Sequence, residues 1–571
     1  MRSILTRLEL LGAALACAAI ASVLLPLGCT GAPPAPIPAA GTSESAPRRG
    51  GTLHLASHLD VRNLDPAGPT DGLASQALTL MFEGLVDFDQ AGQLVPGLAE
   101  TWEVEDDGRS YRFHLRPGVR MHDGGELTAS DVKRSIERAL HPTTPSANAS
   151  LFEGLIGYAE YAAGSAPHLD GVTVEGKYDV RFRLAQPDSA FLAMLAMPMM
   201  RPVCATAGDR YVDTWLPCGA GPFKLEPGGW ARGTSLRLVR HDAYFRPGLP
   251  YLDAVEWTYN MSVQPQRYRF EDGELDMLIN PTQADFGRFT ADPRWSGLST
   301  TLADNIVWGE SMNTRLPPFD NVEIRRAVAA AIDRGQIAML DRVKISPMTQ
   351  LLPRGVPGYD PSFSGQRHDE AAALEHMRKA GYAFDPATGK GGWPHPVVYT
   401  TQDRTFNAYW AQLLQQQLAR IGIRLELRLV TQPAYLALTQ RAGASQMSIQ
   451  GWSADYAEPS TFFDPLFTSA AIKADGTNNT AFYSNPRYDD LVARARRTID
   501  PNVGRAIYRE ANEILCDEAP WAFSFAQHDL VMRQPYVRGF VAHPVWPFDV
   551  RRVWLDRADA ALPRPLPRGL P

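Results

Sequence analysis

Cysteine is scarce in this chain, five residues in 571, and none forms a C-x-x-C. A disulfide-built scaffold and a zinc finger are thereby excluded. No charge of one sign dominates either. The formal net charge is −7, which removes the whole-chain electrostatic argument for a nucleic-acid partner. Enzyme signatures are missing as well: there is no G-x-S-x-G, no H-E-x-x-H and no G-x-G-x-x-G. Gly171 to Lys177 has the spacing of a phosphate loop, but Tyr178 follows where a magnesium-holding hydroxyl is required, and strand patterns flank it on both sides. His54 and His58 stand four apart without a nearby cysteine or acidic third ligand. The acidic runs Glu103-Val104-Glu105-Asp106-Asp107 and Asp489-Asp490 look like solvated turns. No repeat of 20–50 residues is present, which argues against a solenoid or propeller. No catalytic constellation, cofactor or metal is expected.

What is present is a globular bulk, 44% hydrophobic against 21% charged, too long for one core. Its first residues stand apart. Arg2 and Arg7 precede an uncharged 18-residue run, Leu10 to Leu27, which ends at Gly28-Cys29 and passes into a Pro/Ala-rich stretch. This order reads as an export signal over 1–29 with a tether over 30–50. The ending resembles a bacterial lipoprotein signal, in which Cys29 would be acylated; Pro26 stands where that pattern prefers leucine. Plain secretory cleavage and a retained anchor helix are the alternatives. In an exported chain Cys204 and Cys218, 14 apart among Pro202, Gly208 and Pro217, suit a loop closed by a disulfide, with two buried thiols as the bland reading. Cys516 falls on the apolar side of a helical pattern.

Strands and helices mix without a βαβ rhythm. Thr52–Ala56 and Tyr111–Arg116 alternate as strands, and Gly171–Leu184 reads as a hairpin. Thr128–Asp131 opens a helix to about Leu140 with a capping box, and Asp320–Glu323 opens another that buries Ile324, Val328, Ala331 and Ile332. A longer helix near 407 carries Trp410, Leu413, Leu414, Leu418 and Ile421 on one face. It stops at Gly422, and the alternation of Leu425, Leu427 and Leu429 follows as a strand. The tail 561–571 is proline-rich and expected to be disordered.

One segment is unusual: Gly451-Trp452-Ser453-Ala454-Asp455-Tyr456-Ala457-Glu458-Pro459. Flexible backbone, aromatic walls and a lone carboxylate are what a buried ligand pocket needs; a turn with a capping aspartate is the alternative. The segment resembles the signature of the peptide- and nickel-binding family of bacterial extracellular solute-binding proteins, family 5, and is closest to its oligopeptide-binding members. Other pieces follow in family order over about residues 50–555. They include Asn63-Leu64-Asp65-Pro66, Phe82-Glu83-Gly84-Leu85, Pro96 to Trp102, Phe113 to Val119, Leu127 to Val132, Gly219 to Leu225, Gly273 to Asp276, Val322 to Arg334, Asn478 to Tyr483 and Asp517 to Pro520.

The resemblance implies an α/β fold of two lobes joined by crossover strands, periplasmic-binding-protein-like of class II (a Venus flytrap), with an extra subdomain in the larger lobe. Lobe I then comprises 51–80, 218–310 and 521–560, the extra subdomain 81–217, and lobe II 311–520. It also implies a substrate-binding protein of an ABC importer that captures oligopeptides and delivers them to permease subunits. Such a protein would be a monomer in the periplasm or at the cell surface, held at the membrane by lipid on Cys29, and not an enzyme. Asp455 would pair with the peptide's α-amino group, while backbone near Gly451 and Ser453 would bond the extended peptide. The expected ligand set is Asp455, Gly451, Trp452, Ser453, Tyr456, Asn148, Arg441 and Arg404. Ile449 departs from the family pattern, where a basic residue receives the peptide carboxylate. Gln440 stands near a second basic position, with Arg441 adjacent, and Asn148 replaces an aromatic hydroxyl. The amine end of the site therefore looks intact and the carboxyl end rebuilt. A nickel chelate, an oligosaccharide or an opine-like molecule is the alternative ligand.

Overall fold

The structure, a computed structural model, describes residues 46–556 apart from 69–71, 147, 213, 303–305, 544 and 547. The expected export signal with Cys29, most of the tether and the tail 561–571 lie outside the described residues.

The first lobe is built on two sheets. Thr52–Ala56 runs parallel to Ala254–Thr258, which pairs with Ser235–Arg240 and then Phe223–Ala231. In the second sheet Leu530–Arg533 lies between Met277–Ile279 and Ser299–Thr301. Leu53, Leu55, Trp257, Val531 and Val553 meet in one core, so the lobe closes only when segments about 500 positions apart, around Leu53 and Val553, come together.

Within 81–217 the hairpin expected at 171–184 forms as Val172–Val174 and Asp179–Arg183. It joins Ser110–Leu115 and Ala99–Glu105 in a four-stranded sheet. Helix Ala129–Leu140 covers that sheet with Val132, Ile136 and Leu140. Its first turn is closed by the expected capping box: Asp131 accepts from the Thr128 backbone N–H at 3.0 Å. Cys204 and Cys218 form a disulfide, with Cα atoms 5.4 Å apart.

The other lobe is a six-stranded sheet in the order Ile345–Pro347, Trp521–Gln527, Ile306–Met312, Met447–Ser453, Val397–Gln402, Leu425–Val430. Helix Thr405–Ala419 buries Trp410, Leu414 and Leu418 against one face. The chain then reverses at Gly422, whose φ of 81° favours glycine, and Leu425–Val430 runs parallel to Val397–Gln402. Phe462, Phe463, Tyr488, Trp521 and Phe523 fill the opposite face. Cys516 is half-buried, and burial pushes its thiol up to about 12, as an inert core cysteine should be.

Two expectations need correction. Helix Val322–Ala331 is capped by Asn321, which accepts from the Glu323 N–H at 2.9 Å, and not by a box on Asp320. Glu323 turns instead to Arg326 at 2.6 Å and His376 at 2.7 Å, because a cation outcompetes a backbone N–H for a carboxylate. The expected lobe borders at 310/311 and 520/521 would each cut a sheet strand: Ile306–Met312 and Trp521–Gln527 both belong whole to the six-stranded sheet, paired with each other in an antiparallel ladder. A border inside such a ladder would break paired, buried backbone.

Candidate ligand-binding site

The strand Met447–Ser453 ends where Ser453 pairs with Ile306 at the rim of the sheet. The chain then loops and re-enters as helix Ser460–Phe467. The first turn of that helix pins the loop. Thr461 accepts from the Asp455 N–H through its hydroxyl at 3.0 Å and from the Trp452 indole through its carbonyl at 2.7 Å. Tyr456 and Ser460 share a hydroxyl hydrogen bond at 3.0 Å, and Glu458 accepts from the Ser460 N–H at 2.6 Å. Tyr456 is buried in the core of the 81–217 subdomain, so this loop spans from one lobe to the other.

Asp455 is left facing a cavity of about 450 Å³. Its side chain is exposed to that cavity, yet protein surrounds the cavity and desolvates the carboxyl, raising it to about 6 against a small opposing effect of Thr461. No ion pair of Asp455 is found among the described residues. Asp529, which accepts from the Asn280 amide at 2.8 Å, lines the same cavity, and among the described residues no lysine or arginine does so. A carboxylate held in such a cavity without an internal lysine or arginine lacks a balancing charge among the described residues.

The walls are aromatic: Phe88, Trp257, Tyr456, Trp546 and Phe548. Trp546 is held from behind. Its indole donates to Asp87 at 2.7 Å, and the Arg201 guanidinium lies 4.7 Å from its ring centroid. Burial alone would raise the Asp87 carboxyl, but Arg551 and Arg201 outweigh it and keep Asp87 far below the usual carboxylate range. The ring therefore has a fixed orientation on the cavity wall.

A second, outer chamber of about 710 Å³ adjoins the first and shares Gly355, Val356, Pro357, Ala457 and Val545 with it. It lies between the turn Ala91–Gln93 on one side and the 354–361 loop with the helix Pro501–Glu518 on the other.

Of the residues singled out in the sequence, Ser453, Asp455 and Tyr456 line the inner cavity. Asn148, Arg404, Arg441, Gly451 and Trp452 do not reach either chamber. Arg404 heads the helix Thr405–Ala419 and contacts Gln432 at 3.3 Å, while Arg441 pairs with Asp475 at 3.1 Å on the surface. Asn148 precedes a short 3-10 turn at Ala149–Phe152. Gly451 serves packing: a Cβ there would lie 2.6 Å from the Trp308 ring across the ladder. His58, Trp257, Asp529 and Trp546 line the cavity without any sequence signal, because they come from four distant segments that only the fold unites.

Two α/β lobes with a polar, aromatic-walled cavity between them define a solute-binding protein of the two-lobed periplasmic class. Residues 93–474 match the model of the bacterial extracellular solute-binding proteins, family 5 Middle. The chain belongs to this family, and it is thereby a solute-binding protein of an ABC importer, in a family of extracytoplasmic transport proteins rather than enzymes. It is 27% identical over 475 residues to the glutathione-binding protein GsiB of Escherichia coli (strain K12), covering 82% of this chain and 87% of that one. The structure resembles the periplasmic binding protein DppA from Helicobacter pylori in complex with the peptide STSA, with a TM-score of 0.72 and 26% identity, covering 89% of this chain and 99% of that one. It also resembles clavulanic acid biosynthesis oligopeptide binding protein 2, with a TM-score of 0.79 and 26% identity, covering 89% and 96%. No helix among the described residues is long and apolar enough to cross a membrane.

Proposed function

We propose that this protein captures short peptides by their free α-amine and hands them to the permease of its importer, without chemical turnover. The observation that carries this reading is Asp455, a carboxylate with no ion pair among the described residues, facing an acidic cavity between the lobes. An ion pair 4 Å apart at an effective dielectric near 20 attracts by roughly 4 kcal/mol. Desolvation takes back a large share, so further hydrogen bonds must add to it. Ser453 stands beside Asp455 at the end of its strand, where an extended ligand can bond to backbone. That GsiB binds glutathione and the DppA structure holds STSA supports a peptide-like ligand with a free amine. The layout that goes with this reading assigns 51–80, 218–305 and 528–556 to lobe I, 81–217 to its extra subdomain and 306–527 to lobe II. The chain would act as a monomer, anchored at the membrane through lipid on Cys29.

The test is thermal unfolding of residues 50–571, stripped of copurified ligand, with tri- to pentapeptides and their N-acetylated forms. At a hundredfold excess over Kd a ligand adds about 2.7 kcal/mol, which for a cooperative chain of this length raises Tm by about 2–3 °C. Free peptides should give that shift, and acetylated peptides or the Asp455→Ala variant should not. Equal shifts with free and acetylated peptides would refute the amine anchor.

A further inference from the structure

We infer that the outer chamber is an anion subsite that receives the carboxylate-bearing end of the ligand. Bound ligand would then run from its amine at Asp455 outward to Arg354 and Arg505. The inference rests on the amine-first reading of the inner cavity and extends it to the other end of the ligand.

The two chambers are contiguous but opposite in charge. Among the described residues, Asp455 and Asp529 line the inner one, without a lysine or arginine. Arg354, Arg505 and Arg509 line the outer one, with Asp360 as the single acid among the described residues. Asp360 is already engaged: Arg509 pairs with it at 2.6 Å, and the Ser362 backbone N–H donates to it at 2.8 Å. Arg505 donates to the neutral Asn502 side chain at 2.6 Å, and no ion pair of Arg354 or Arg505 is found among the described residues. Two guanidinium groups without an acidic partner thus face a chamber that opens from an acidic one. A guanidinium presents paired N–H donors that match a carboxylate, so this is the chemistry expected for a carboxylate terminus.

The arrangement is anchored rather than loose. Gly358, at φ 93°, brings the 354–361 loop against the segment that follows Asp455. A Cβ there would lie 3.0 Å from Pro459 and 3.7 Å from the Arg505 stem. The loop bearing Arg354, the helix bearing Arg505 and the segment bearing Asp455 therefore pack as one unit, which sets the span between amine and carboxylate. Arg441, offered for the carboxyl end, and Arg404, expected in the ligand set, line neither chamber.

The experiment is calorimetric titration of the stripped chain, residues 50–571, with oligoalanines of three to five residues. Each is used as the free acid, the C-terminal amide and the N-acetylated acid. The wild type should bind the free acid at least tenfold more tightly than the amide at one or more lengths. Replacing both arginines, Arg354→Ala with Arg505→Ala, should abolish that preference. Arg354→Lys with Arg505→Lys should restore part of it, and since both residues are exposed the variants should fold. A wild type indifferent to amidation, or a double alanine variant that keeps the full preference, would overturn the inference. Failure of the amine reading looks different: acetylated and free acids would then bind alike while the arginine-dependent preference for the acid persisted. No binding of any oligoalanine would overturn both.

Discussion

Asp455 sets the behaviour of the site at the scale of a single residue. Burial raises its carboxyl to about 6, so below that pH the empty site holds a proton that an incoming ammonium must displace. Affinity for a free-amine peptide should be flat near pH 7 and fall by up to tenfold per pH unit below about 6. It should fall again at alkaline pH as the ligand's α-amine, with a pKa of about 8, loses its charge. Titrations at pH 5, 7 and 9 check this. In Asp455→Asn, with His58 and Asp529 in place, binding should be weak throughout and the acid limb should vanish. An acid limb that persists in that variant would assign it to another group. Gly451 makes the contrasting point. Its place in the signature segment suggested contact with ligand, yet its missing side chain makes room for Trp308. The same residue type can mark either role, and the choice depends on a partner more than a hundred positions away.

At the scale of the element, the strand Ile306–Met312 carries a buried acid in the centre of the six-stranded sheet. Glu310 is fully buried, and burial pushes its carboxyl up to about 8, with Tyr399 at 2.7 Å and Ser524 at 3.4 Å as its hydrogen-bond partners. The folded chain therefore keeps a proton on Glu310 that the unfolded chain releases above its ordinary value of 4.5. Stability from this group is present below about 4.5 and declines as pH rises toward about 8, by at most ~1.4 kcal/mol per pH unit. Glu310→Gln should raise Tm relative to wild type at pH 8, with the difference shrinking toward pH 5. Equal effects at both pH values would show that Glu310 does not titrate in this window. The helix Thr405–Ala419, Gly422 and the following strand were legible in sequence because a period of 3.6, a stop and a period of 2 are all local. The capping of Val322–Ala331 was only half legible, since His376 draws the Glu323 carboxylate away from the helix start.

At the scale of the molecule, the lobes are clasped beside the cavity. Asp188, in the 81–217 subdomain, accepts from Arg496 at 2.8 and 2.9 Å, and Arg496 also pairs with Asp464 in its own lobe. The Ser189 N–H adds a backbone bond to the Arg496 carbonyl at 2.8 Å. A contact made only when the lobes meet stabilises the closed state, and ligand binding draws on that stability. Asp188→Ala should therefore weaken peptide binding several-fold although Asp188 does not line the cavity, and small-angle scattering should show a larger radius of gyration for the unliganded variant. An unchanged radius with weakened binding would locate the effect in the site instead of in closure.

What the sequence determined by itself was local or carried by linear order: the strands and helices with clean periods, and the fold and family through many short motifs in one order. It also marked Asp455 as the acid to watch. Only the tertiary structure decided which residues line the cavity. His58, Trp257, Asp529 and Trp546 meet through lobe packing, and Arg354 and Arg505 share a chamber because Gly358 lets one loop lie against another segment. Arg404 and Arg441, suggested by the family resemblance, contact Gln432 and Asp475 instead. The physical reason is that periodicity and capping are short-range properties of the backbone. The charge, depth and width of a cleft between lobes arise from contacts between segments hundreds of residues apart.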